Sequence, residues 1–138
     1  MSGIIGGAGS KSGIIGTTEL DYEEGTWTPG VHVLTMTEAT HKWYKKIGNI
    51  VWLSASVVFA AGSSGTTQRI KGSPFTSLHY SSGYVGWTNW TTPDDPQLTV
   101  IMWNNDTQIY LYELPNEALT GSNLAGSRVD FTIAITLS

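Results

Sequence analysis

Three histidines, two adjacent aspartates and a large set of aromatic rings are the residues of this chain whose types could do chemistry. His32, His41 and His79 lie far apart and form no His-x-x-x-His pair of the kind that puts two imidazoles on one metal. They read as scattered polar residues, and no metal or other cofactor is expected. Asp94 and Asp95 stand between Pro93 and Pro96. Paired carboxylates hold calcium or perform acid–base steps, but neighbours in a proline-framed loop are more simply a solvated turn. No Gly-x-Ser-x-Gly nucleophile elbow occurs. The stretch GGAGSKS (6–12) has phosphate-loop composition, yet Walker A needs glycine directly before the lysine, and Ser10 precedes Lys11. These absences point away from an enzyme. The rings leave two readings open. Tyr84, Trp87, Trp90 and Trp103, with Tyr80, would make a sugar-stacking platform; the same rings suit a core and subunit interfaces. The interface reading is favoured, because the charge-poor composition already calls for large buried contacts.

Such residues need a scaffold, and the composition limits which one. The 138 residues argue for one domain with an appended arm. Apolar residues make up 40% of the chain, enough for a core, while charged residues are only 13%, about half the usual share of roughly 25%. Net charge is −4, and the one basic cluster is Lys42, Lys45 and Lys46. A phosphate-binding face needs more clustered cations, so nucleic acid is not an expected partner. There is no cysteine, hence no disulfide or thiolate metal site. No run of eighteen apolar residues occurs, so no membrane partner is expected. The acidic run ELDYEE (19–24) and the basic run HKWYKK (41–46) are expected either to pair between subunits or to be two solvated surfaces.

Strand patterns dominate after residue 20. NIVWLSASVVFAAG (49–62) is the clearest, with Val51, Leu53, Ala55, Val57 and Phe59 on one face. RVDFTIAITL (128–137) alternates as cleanly and points Val129, Phe131, Ile133, Ile135 and Leu137 inward. QLTVIMW (97–103) and QIYLYEL (108–114) flank the turn NNDT and predict a hairpin. VHVLTM (31–36), TTQRIKG (66–72) and GYVGWTNW (83–90) predict shorter strands, with Gly86 marking a bulge. NEALTGSNLAG (116–126) has room for one helical turn. The expected fold is all-β, a β-sandwich or jelly roll over 21–138, preceded by an extended glycine-rich arm over 1–20.

The arm repeats Ser-Gly-Ile-Ile-Gly at 2–6 and 12–16. Fully burying one isoleucine is worth about 1.5–3 kcal/mol. Four on a glycine tether, Ile4, Ile5, Ile14 and Ile15, are hard to explain as linker and predict an arm that docks on a neighbour.

LDYEEGTWTPG (20–30), HKWYKKIGNIVWLSASVVFA (41–60) and IKGSPFTS (70–77) together resemble a domain of tailed-bacteriophage virion proteins. The residues that carry the resemblance are Tyr22, Glu23, Gly25, Trp27 and Pro29, then Tyr44, Lys46, Ile47 and Gly48, then Gly72, Pro74 and Phe75. They span the first half of the chain; the second half, from Leu78, fits only as generic β-structure. The resemblance implies a homotrimeric β-sandwich located on the virion, as a head decoration (cement) protein bound to the major capsid protein on the outer capsid surface. The alternative is a tail-fibre tip that recognises host-surface glycans. On the decoration reading, the capsid or subunit contacts are expected at the arm's Ile4, Ile5, Ile14 and Ile15 and at Tyr22 and Trp27.

Overall fold

The computed structural model describes residues 21–90, 97–114 and 117–138. The arm with its four isoleucines, and the Asp94–Asp95 pair, lie outside the described residues. The fold is all-β. Among the described residues ten strands form: β1 (Tyr22–Thr26), β2 (Gly30–Val31), β3 (Met36–Ile47), β4 (Ile50–Phe59), β5 (Arg69–Lys71), β6 (Ser81–Thr88), β7 (Leu98–Met102), β8 (Ile109–Glu113), β9 (Glu117–Ala118) and β10 (Arg128–Thr136). A single helical turn, α1 (Gly121–Leu124), is capped by Thr120 and Asn123 acting reciprocally. The strands make one antiparallel sheet in the order β1-β3-β4-β10-β6-β7-β8-β5-β2, with β9 paired to β8.

The two most strongly alternating segments are adjacent at the centre. β10 lies antiparallel to β4 so that Val129 faces Val57, Phe131 faces Ala55, Ile133 faces Leu53 and Ile135 faces Val51. All eight side chains are buried. Direct cross-strand apolar pairs of this kind are the units that stabilise a sheet. The predicted hairpin forms as β7 and β8, which add Val100, Met102, Ile109 and Leu111 to the same core. Leu137, predicted inward, packs against the core only partly buried.

Two differences from the sequence reading concern the first half. The segment 31–36 is not one strand. The backbone bends after Val31, where the Leu34 N–H donates to the Oε1 of Gln68 at 3.0 Å. Gln68 is fully buried, and its Nε2 donates to the Arg69 carbonyl. A side-chain amide thus takes the place of a ladder partner. The longest strand, β3, has no apolar alternation: its side chains are all exposed or half-exposed. It is a strand because β1 and β4 pair with it on either side.

The sheet curls, and the residues of the phage-type resemblance sit where its ends approach. The Tyr44 ring meets the Phe75 ring edge-on, 5.0 Å between centroids. Gly25, opposite Tyr44 in the ladder, leaves that ring its place: a Cβ at Gly25 would lie 2.9 Å from it. The Tyr44 hydroxyl donates to Glu23 at 2.5 Å. Trp27 is buried, and its indole N–H donates to the Ser54 carbonyl at 3.0 Å. At Gly72, φ is +94° and a Cβ would strike the Thr28 carbonyl. Only glycine satisfies both conditions.

The acidic and basic runs face each other within one chain. β1 and β3 lie in register with Glu23 opposite Lys46 and Glu24 opposite Lys45. Lys45 reaches Glu24 at 3.8 Å, and Lys46 pairs with Asp21. These exposed pairs fix register more than they add stability, each contributing about 0–1 kcal/mol.

Candidate functional site

The outer face of the sheet carries a groove made by two register breaks. In β6, Trp87 pairs with Asp130 but Val85 pairs with Phe131, so Gly86 is an extra residue. This is the bulge expected at Gly86. In β3, Thr40 pairs with Ser56 but Trp43 pairs with Ser54, so His41 and Lys42 together oppose Ala55. His41 absorbs that break with φ at +52°. A non-glycine residue held there costs on the order of 1–3 kcal/mol, a strain often found at functional sites.

Between the breaks the ladders align two rows across four strands. One runs Thr40, Ser56, Asp130, Trp87 and the next Trp43, Ser54, Thr132, Tyr84. Small polar side chains occupy β4 and β10 in the middle, and rings stand on the flanking strands. The result is a cavity of about 220 Å³ lined by His41, Ser54, Ser56, Tyr84, Asp130 and Thr132, with Gly86 at its edge.

Hydrogen bonds hold the floor rigid. Thr132 Oγ1 donates to Ser54 Oγ at 3.2 Å, and Ser54 Oγ donates to the Phe131 carbonyl at 3.0 Å. Arg128 grips the Asp130 carboxylate bidentately, Nε to Oδ1 at 2.9 Å and Nη2 to Oδ2 at 3.0 Å. Its guanidinium also lies over the Trp87 ring, 5.3 Å from the centroid. Burial alone would raise the Asp130 pKa. The hydrogen bonds from Arg128 and Ser56 and the charges of Arg128 and His41 outweigh it, and the carboxyl titrates below its ordinary range. The carboxylate is therefore ionised near neutral pH, with its charge balanced by Arg128.

The rings expected to form a stacking platform separate into three places. Tyr84 and Trp87 are exposed on the outer face, at 65% and 51% of their surface. Trp90 is in the core. Trp103 lies past the far end of β7, edge-on to Tyr80 at 5.1 Å and to Tyr110 at 6.0 Å. Of the proposed contact residues, Tyr22 is half exposed on the edge strand β1, whereas Trp27 has its ring committed to the core. His32 and His79 lie at bends outside the strands, and neither lines the groove that holds His41. Sequence reasoning weighed His41 only as one of three scattered histidines, and it did not single out Ser54, Ser56, Asp130 or Thr132 as site residues. The available signal was the outward alternation of Ser54 and Ser56 in β4 and of Asp130 and Thr132 in β10.

Comparison with protein-family models, with curated proteins and with solved structures finds no match.

Proposed function

We propose that this chain is a non-enzymatic structural protein of a tailed-phage virion, acting as a head decoration protein that assembles as a homotrimer on the outer capsid. The observation that carries the reading is an exposed apolar row at one end of the outer face. Tyr22, Ile47 and Ile50 are consecutive ladder partners on β1, β3 and β4, and each is 40–50% exposed. Contiguous exposed apolar side chains mark assembly surfaces. The partner is a second copy of the chain, with the isoleucine pairs of the arm gripping the neighbouring subunit or the major capsid protein. The clasp around Tyr44 and Phe75 supports the same reading, because it gives the phage-type residues a structural role in closing the sheet.

The test has two parts. Sedimentation equilibrium of the full chain should give three times the 14.9 kDa chain mass, and replacing Tyr22, Ile47 and Ile50 with serine should yield a folded monomer. Antibody labelling of virions in the electron microscope should decorate the head. A monomeric parent chain, or label confined to the tail, rejects the decoration reading.

A second reading, a tail-fibre tip recognising glycans, is favoured by one observation. The bulge at Gly86 turns both Tyr84 and Trp87 to solvent beside a polar floor.

A further inference from the structure

We propose that the groove between the two bulges binds one ring of a neutral saccharide, stacked on Tyr84 and hydrogen-bonded to Asp130, Thr132 and His41. The inference rests on the second reading only for its place in the virion; the site belongs to the chain wherever the chain sits.

Size sets the first limit. At about 220 Å³ the cavity is smaller than the roughly 300–1,000 Å³ of sites that enclose a drug-sized ligand. It fits a single ring of a longer chain that continues over the open face. From β3 to β6 is three strand spacings, about 14 Å, so His41 and Tyr84 stand on opposite sides of that ring.

Chemistry sets the second. A pyranose has an apolar C–H face and a rim of hydroxyls. Tyr84 supplies a large, solvent-exposed aromatic wall on β6. The floor offers an ionised carboxylate, a threonine hydroxyl and, across the groove, an imidazole. Carboxylates accept from hydroxyls strongly, because the acceptor is charged. Asp130 is preorganised for this by Arg128 and Ser56, so little ordering remains to be done on binding.

Charge sets the third. Arg128 is already committed to Asp130 and lies over Trp87. An anionic sugar would meet the Asp130 carboxylate with no unengaged cation from this pair. The chain's net charge of −4 adds to that bias. The ligand is therefore neutral.

The experiment probes an array of neutral and anionic bacterial-surface oligosaccharides with the fluorescently labelled full chain. Titration calorimetry with the strongest hit follows, using the parent, Tyr84→Ala, Asp130→Asn and Trp103→Ala. Tyr84 is mostly exposed, so its truncation leaves the fold intact, as circular dichroism will verify. The expected result is a neutral hit, weakened at least tenfold by Tyr84→Ala and by Asp130→Asn and unchanged by Trp103→Ala. The proposal is overturned by an array without hits, by preference for anionic glycans, or by binding lost in Trp103→Ala but kept in Tyr84→Ala. It is also overturned if Tyr84→Ala changes only the oligomeric mass, which would make the groove a subunit interface. A head location with a saccharide hit removes the tail reading and keeps the site; a tail location with an empty array does the reverse.

Discussion

Trp87 stands directly opposite Asp130, while two residues earlier in the same strand Val85 stands opposite Phe131. Strict alternation would send Trp87 to the face that Val85 occupies, since side chains in a strand switch sides at every residue. The extra residue, Gly86, resets the phase. Trp87 joins Tyr84 outside, and Val85 keeps its place against the core.

Deleting Gly86 makes Val85 and Trp87 neighbours, so ordinary alternation keeps Val85 inside and Trp87 outside, opposite the same partners Phe131 and Asp130. What is lost is the local bend and extra twist that a bulge gives its strand, so urea denaturation should show little loss of stability while the shape of the groove changes. Gly86→Ala should be nearly neutral, because the nearest atom to an added Cβ is 3.7 Å away, in the Tyr84 ring. A large loss of stability in the deletion variant would contradict this register.

Gly83→Ala should destabilise more than its single methyl suggests. A Cβ there would press on the Thr132 carbonyl and lie 2.7 Å from the Ile133 Cα, and both are backbone of the central strand β10. Backbone in the middle of a sheet cannot step aside as a side chain can. The expected loss is about 1–3 kcal/mol. Gly65→Ala, where an added Cβ meets open space, is the matched control and should change little. Equal midpoints in chemical denaturation would contradict the close approach of β6 to β10.

Tyr44 and Phe75 should be energetically coupled. Their rings meet edge-on across the curl of the sheet. A double-mutant cycle to alanine should return about 0.5–1.5 kcal/mol of interaction energy. Tyr44→Phe removes only the exposed hydrogen bond to Glu23 and should keep that coupling. A coupling of zero would mean that the two ends of the sheet are not clasped at this contact.

Acid should erase the contribution of Asp130. Its folded pKa lies below the ordinary carboxylate value, which is about 3.9 in an unfolded chain. A depressed folded pKa gives stability that is fully present above the unfolded value and is lost as pH falls through the folded one. The parent should therefore exceed Asp130→Asn in stability from neutrality down to about pH 4, and the gap should close below that. A gap that is constant across pH, measured by urea denaturation at each pH, would show that the effect is packing and not charge.

The sequence by itself determined the all-β class, the two central strands, the β7–β8 hairpin, the single helical turn and the glycine bulge. Each rests on a local pattern: residues such as Val51, Leu53, Val129 and Ile133 alternate because one face of a strand must leave water. The duplicated isoleucine pairs of the arm were equally legible, though they lie outside the described residues. Only tertiary structure decided that the polar segment 36–47 is the longest strand, since its strand character comes from ladder partners on β1 and β4. It alone showed the acidic and basic runs pairing within one chain, and Trp27 and Trp90 turning inward while Tyr84 and Trp87 turn out. It alone gathered the groove, because His41, Ser54, Asp130 and Tyr84 are on four different strands, and the register that aligns them is set by two bulges and the long-range pairing of β4 with β10.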